Sequence, residues 1–350
     1  DKLNGTQSPK RWKWGDISGD FVKKPIPFER SASREGKQAG NEFTVDGYTY
    51  VLWENYSYFF QDKDVTVTIP GTIAAVKAFA PNDTAAFCPP QTVTYENRSY
   101  PVAVILENMT VPHPAKTREI RIKPSIRCIE YSALANFQDT VQNVIIEDCE
   151  EPLYLGPSRS GGQLEFAGGL SQLKFLTYCY VGRNIINCKP EWNKNYGPLA
   201  GWRGNDSDKR LSVVLGPMAT QPGHHFFYGA DISKIEDVTV KAFNPPTIDY
   251  EIFSNPAPLD TTDKPKAKVY PGQKVLYTRN QNWNANFTIE ELPPYAGFSA
   301  GTMWNLTPVF NLTGDTCAGY KMNVSSVGTG IMEDKDKVSD HGWYKYRDIM

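Results

Sequence analysis

A chain of 350 residues has room for two domains, and a formal net charge of −2 gives no electrostatic case for nucleic acid or for an anionic membrane surface. Aromatic residues are plentiful (19 Tyr, 17 Phe, 8 Trp), while 26 Pro and 27 Gly are spread along the whole chain, the distribution of short strands joined by frequent turns. No run of 18 apolar residues occurs, so no membrane-spanning helix is expected.

Residues 1–40 are polar and basic, with Lys10-Arg11-Trp12-Lys13-Trp14 and Lys23-Lys24-Pro25, and read as an extended N-terminal arm. Trp12 and Trp14 lie two apart. In an extended segment they face the same way, which suits them to anchor the arm on a neighbouring copy or on its own body. The opening Asp1-Lys2-Leu3-Asn4 reads as a mature, already cleaved terminus.

Phe43 and Val45, the Asp46-Gly47 turn, and then Tyr48, Tyr50 and Leu52 predict a β-hairpin. Residues 65–69 predict a strand ended by Pro70-Gly71, and residues 73–80 a strand or a short helix. Further strands are expected at 92–95, 102–106 and 119–122. The run Val-Gln-Asn-Val-Ile-Ile-Glu at 141–147 is a buried-strand candidate. It has the look of one rung of a parallel β-helix, but no repeat of 20–50 residues accompanies it, and a solenoid is set aside.

Residues 158–162 and Gly168-Gly169 form a loop-rich stretch and the best domain boundary; no Gly-Lys-Ser/Thr follows to make it a phosphate loop. Strand character returns at 170–181 and at 238–243. Residues 244–263 are a Pro-rich connection, 269–327 the last β unit and 333–350 a charged tail.

The expected fold is all-β: two β-sandwich-like units, immunoglobulin-like or jelly-roll, with extended terminal arms. The expected divisions are an arm at 1–40, a first β domain at 41–160, a second at 161–332 and a C-terminal tail at 333–350. The final unit opens at Pro271-Gly272 and ends on a strand centred on Tyr320. It resembles immunoglobulin-type sandwiches in outline, a likeness too generic to assign any residue a role.

Ten Asn-X-Ser/Thr triplets occur, at Asn4, Asn55, Asn82, Asn97, Asn108, Asn205, Asn286, Asn305, Asn311 and Asn323. With 22 Asn in the chain, chance gives roughly three, so N-glycosylation and an extracellular or surface location are expected. Six cysteines, Cys88, Cys128, Cys149, Cys179, Cys188 and Cys317, contain no CxxC pair and read as disulfides in such a chain. Local pairing would join Cys128 to Cys149 and Cys179 to Cys188, leaving Cys88 for Cys317.

No catalytic motif stands out. His224-His225 lacks further ligands nearby, and no Gly-X-Ser-X-Gly elbow occurs. Glu147, Asp148, Glu150 and Glu151 cluster beside a strand as a solvated turn would. Trp192 and Trp202 read as core or loop anchors ahead of sugar platforms. Asn205-Asp206-Ser207-Asp208 and Glu333-Asp334-Lys335-Asp336 are oxygen-rich enough for a structural calcium ion but lack the glycine and glutamate of the EF-hand loop. No other cofactor is expected.

The sequence therefore predicts a secreted, N-glycosylated structural or interaction protein, a self-assembling surface filament or spike subunit that uses its terminal arms between copies. Its partners would be copies of itself or a surface protein. The alternatives are a secreted carbohydrate-active enzyme or lectin, and a viral envelope receptor-binding glycoprotein.

Overall fold

The computed structural model describes residues 32–60, 65–81, 86–159, 166–187, 197–205, 210–223, 225–242, 264–270, 273–292, 316–317 and 320–321. Its strands are β1 (Ala32–Val45), β2 (Tyr48–Phe60), β3 (Val65–Phe79), β4 (Thr92–Tyr95), β5 (Arg98–Thr110), β6 (Glu119–Ile122), β7 (Cys128–Ile129), β8 (Asn143–Ile146), β9 (Leu153–Leu155), β10 (Ser158–Arg159), β11 (Phe166–Ala167), β12 (Tyr178–Val181), β13 (Ile185–Asn187), β14 (Leu211–Leu215), β15 (Ile235–Val240), β16 (Lys266–Val269), β17 (Thr288–Glu291), β18 (Thr316–Cys317) and β19 (Tyr320–Lys321). Two six-residue helices, Lys274–Arg279 and Gln281–Asn286, lie between β16 and β17. Among the described residues no helix is long and apolar enough to cross a membrane.

Two sheets take most of the strands. One runs β1-β2-β3-β5-β7-β9-β13, with β4 paired to β5; the other runs β6-β8-β12-β14-β15-β16-β17. Every pairing in the second sheet is parallel. In the first, β1, β2 and β3 are antiparallel, while β3, β5, β7, β9 and β13 run parallel. From β5 to β13 the chain alternates between the sheets, so each turn of the chain lays one strand on each. This is a parallel β-solenoid coil, in which a strand of the opposite sheet takes the place of the usual crossover helix.

The expected pair of sandwiches, immunoglobulin-like or jelly-roll, is thereby overturned. A sandwich of that kind is built of antiparallel sheets, whereas the second sheet here is wholly parallel and the first is mixed. The strand-rich, all-β character stands.

Burial explains the coil. On the second sheet Ile120, Val144, Cys179, Val213, Val238, Ala267 and Ile289 occupy one register position, and all are buried. Ile122, Ile146, Val181 and Leu215 form a second inward row. No coil can bury its inward face alone, and stacking removes about 1.5–3 kcal/mol worth of apolar side chain from water at each large position. Phe87 extends the first row by a parallel bridge to Ile120. Beyond it, Tyr48, Phe79, Phe87 and Phe137 meet in sequence at ring separations of 4.6, 5.2 and 5.3 Å.

The antiparallel ribbon follows its turn chemistry. Asp46 and Gly47 both take positive φ (50° and 79°), as a two-residue hairpin turn requires. Strand β3 does not end at Pro70-Gly71 but continues to Phe79. The pairing slips between Glu54 and Tyr56, Asn55 turns to φ 49°, and its Oδ1 accepts the Gly71 N–H at 3.1 Å. A bulge is where a strand tolerates proline. Residues 32–40, which composition assigns to the arm, belong to β1 and pair with β2. Residues 1–31 and 333–350, with Trp12 and Trp14, lie outside the described residues.

Candidate binding face

The outward positions of the second sheet form two rows. One reads Glu119, Asn143, Tyr178, Ser212, Asp237, Lys266, Thr288; the other Arg121, Ile145, Tyr180, Val214, Thr239, Lys268, Glu290. Seven strands at about 4.8 Å make a face about 29 Å long. Charges collect toward its ends. Arg121 meets Glu119 at 3.2 Å and Glu147 at 3.4 Å; Lys266 meets Glu290 at 2.9 Å, and Lys268 pairs with Asp237. Each such pair is worth about 0–1 kcal/mol at a surface.

The middle is different. Tyr178 is flanked by Asn143 and Ser212, and Tyr180 by Ile145 and Val214, so two half-buried rings sit among uncharged neighbours. The Tyr180 hydroxyl donates to Asp148 Oδ1 at 2.7 Å. Burial, and then the Asp148 carboxylate, push the Tyr180 phenol upward, and burial does the same to Tyr178; both stay neutral at ordinary pH. Two glycines make space for the Tyr180–Asp148 pair. A Cβ on Gly182 would come 2.5 Å from Asp148 Oδ1, and one on Gly216 would come 2.6 Å from the Tyr180 hydroxyl. The result is an aromatic platform with a carboxylate at its rim, able to stack on a flat apolar ring face and to accept hydrogen bonds from hydroxyls.

Behind this rim lies Arg183, 0% exposed, which donates to Lys123 O at 3.0 Å and to Pro124 O at 3.2 Å. Burial lowers its pKa.

The residues singled out by sequence are scattered. Asn55, Asn97 and Asn108 are exposed, Asn205 is half-buried, and Asn286 is 1% exposed. Asn4, Asn82, Asn305, Asn311 and Asn323 lie outside the described residues. Among the described residues Cys88, Cys128, Cys149 and Cys179 are free thiols, so Cys128 and Cys149 are not joined to each other. Cys179 packs among apolar side chains of the main core, while Cys128, in a second buried cluster, accepts a hydrogen bond from the Tyr56 hydroxyl at 3.5 Å. The side chains of Cys188 and Cys317 lie outside the described residues.

Trp202 is a core residue, 1% exposed, its Nε1 donating to Leu173 O at 3.0 Å. His225 stacks on Tyr228 at 5.5 Å. Among the described residues no three of His, Cys, Asp and Glu gather closely enough to hold a metal ion. Trp192, His224, residues 206–208 and residues 333–336 lie outside the described residues.

Sequence reasoning passed over Tyr178, Tyr180, Gly182 and Gly216. The available signal was the alternation Tyr-Cys-Tyr-Val followed by glycine at 178–182, and a second strand closed by glycine at 215–216. Fold and face together define a parallel β-solenoid that displays an aromatic, hydrogen-bonding platform on one outward sheet. No protein-family model, curated protein or solved structure matches the chain.

Proposed function

We propose that this is an extracellular glycan-binding protein, which holds an extended, uncharged polysaccharide against the outward face of the second sheet. The observation that carries the reading is the Tyr178–Tyr180 platform with Asp148 at its rim and no charge on either flanking strand position. Sugar rings offer an apolar face to an aromatic ring and hydroxyls to a carboxylate. The exposed triplets at Asn55, Asn97 and Asn108 belong to strands of the first sheet and their turns, so glycans attached there would leave the platform uncovered.

Self-assembly by strand addition at β1 has less support. Strand β1 breaks register twice, at Glu35/Lys37 and Ala39/Phe43, and exposes Glu35, Lys37 and Glu42. Bulges and charges of that kind blunt an edge.

The test is affinity electrophoresis of the intact chain through a panel of soluble neutral polysaccharides. At least one should retard the wild type, and Tyr178→Ala/Tyr180→Ala should weaken that binding roughly tenfold or more. No retardation by any, or equal retardation of the double variant, would overturn the reading.

A further inference from the structure

We propose that the far half of the antiparallel ribbon is a hinged flap, which opens away from the first sheet while the coil stays folded. The device is independent of polysaccharide binding. It rests on a crease that crosses all three ribbon strands at one level. The β1–β2 register slips between Glu35 and Lys37, and the β2–β3 register slips between Glu54 and Tyr56. Gly36, Asn55 and Gly71 lie level with one another at these slips, and all take positive φ (103°, 49° and 79°). A Cβ on Gly36 would come 2.6 Å from the carbonyl oxygens of Glu54 and Asn55, so only glycine fits there.

Beyond the crease the ribbon doubles back. Strand β3 begins to pair with β5 at Ala74 and Val102, and Ile69, opposite Tyr56, lies five residues earlier. A straight ribbon would carry Tyr56 about 17 Å away from that level. Instead its hydroxyl reaches Glu130, which lies in the opposite direction, just past the Ile105–Ile129 pair. Tyr58 follows, its ring 5.7 Å from that of Tyr154 and its hydroxyl accepting the Tyr131 N–H. Among the described residues no coil strand pairs with β3 before Ala74, so side chains alone hold the flap down.

The surface beneath is an apolar cluster separate from the main core. The sheet supplies Val104, Leu106 and Cys128 to it, and the flap supplies Tyr56, Tyr58 and Val67. The latch is polar, with Arg34 and Tyr56 both on Glu130. Those groups regain water when they part, so opening costs less than breaking the continuous core of the coil. A line of residues in unusual backbone conformations is where a rigid element bends.

Two buried cysteines report the two events. Cys128 lies under the flap and Cys179 in the main core, both 0% exposed. Opening bares Cys128 alone, whereas unfolding bares both. The probe is iodoacetamide, added to the native full chain at urea concentrations below the unfolding transition and followed by peptide mass mapping. Without urea, Cys128 should react roughly tenfold or more faster than Cys179. Its rate should also climb less steeply with urea, because a flap exposes less surface than the whole chain. Val238→Ala, at a 0% exposed position on the inward row of the second sheet, weakens the coil whether the flap is open or closed. It should speed Cys179 and leave Cys128 unchanged. Equal rates with equal urea slopes, or Cys128 protected as long as Cys179, overturn the proposal. A folded Val238→Ala variant that speeds both alike also overturns it. Should that variant fail to fold, the wild-type rates and slopes decide alone.

Discussion

Arg34, on the edge strand β1, and Glu130, just past β7, share two hydrogen bonds, Nε to Oε1 at 2.7 Å and Nη2 to Oε2 at 2.5 Å. Glu130 is 0% exposed, and its remaining acceptor sites are met by the Tyr56 hydroxyl at 2.7 Å and the Glu107 N–H at 2.8 Å. The guanidinium also lies 5.1 Å from the Trp53 ring centroid. One buried carboxylate thus ties β1, β2 and β5 to the residue after β7, joining the antiparallel ribbon to the coil.

Removing Arg34 leaves that carboxylate buried without its cation. Arg34→Met should destabilise the fold by about 3–5 kcal/mol in urea unfolding, and Arg34→Met/Glu130→Met should recover part of the loss. A loss of less than about 1 kcal/mol for the single variant would show that Glu130 does not rely on Arg34.

The stability of the protein should fall in alkali. Burial pushes the Cys179 thiol from 9.0 up to about 12. Above about pH 9 the unfolded chain loses this proton while the native chain keeps it, so stability falls by about 1.4 kcal/mol per pH unit for the one site. Cys128 is raised in the same direction, and buried tyrosines such as Tyr277 join at higher pH. Urea midpoints should be flat from about pH 7 to 8 and drop beyond 9. Cys179→Ala should make that drop shallower; an identical drop would deny Cys179 its part.

The two glycines at the rim should respond differently. A Cβ on Gly182 would sit 2.6 Å from Asp148 N and 2.7 Å from Ile146 O, which are backbone atoms that cannot swing aside. Gly182→Ala should cost about 1–3 kcal/mol of stability. On Gly216 the nearest atoms are the Tyr180 hydroxyl and Asp148 Oδ1, both side-chain ends. Gly216→Ala should keep its melting temperature near wild type yet lose polysaccharide binding, as calorimetry and affinity electrophoresis would read.

Glycopeptide mapping of protein made in a eukaryotic secretory host should find sugar on Asn55, Asn97 and Asn108 and none on Asn286. The first three are exposed, whereas Asn286 is enclosed between the helix Gln281–Asn286 and β17. An occupied Asn286 would contradict the packing of that corner.

What the sequence made legible was local. The Asp46-Gly47 hairpin follows from turn chemistry, and the alternation at 143–146 and 178–181 marks strands. The coil was hidden because successive members of the Ile120-to-Ile289 row are separated by 24, 35, 34, 25, 29 and 22 residues, which leaves no repeat to detect. Period two tells which side chains share a face but not which strand lies alongside, so the Tyr178–Tyr180 platform awaited the register.

Two signals had a second physical cause. Asn55, Asn97 and Asn108 all sit at positive φ (49°, 61° and 54°), a conformation that favours asparagine, so part of the triplet count reflects turn chemistry. Cys179 fills an inward position between Val144 and Val213 as a small apolar side chain would, and an even cysteine count gave no hint of that.

Amide hydrogen exchange of the full chain, with and without the polysaccharide that retards it most, tests the binding face most directly. Protection should appear in peptides spanning 144–148 and 178–182, with none in 32–45. Protection confined to the first sheet, with β12 exchanging as in the free protein, would contradict it.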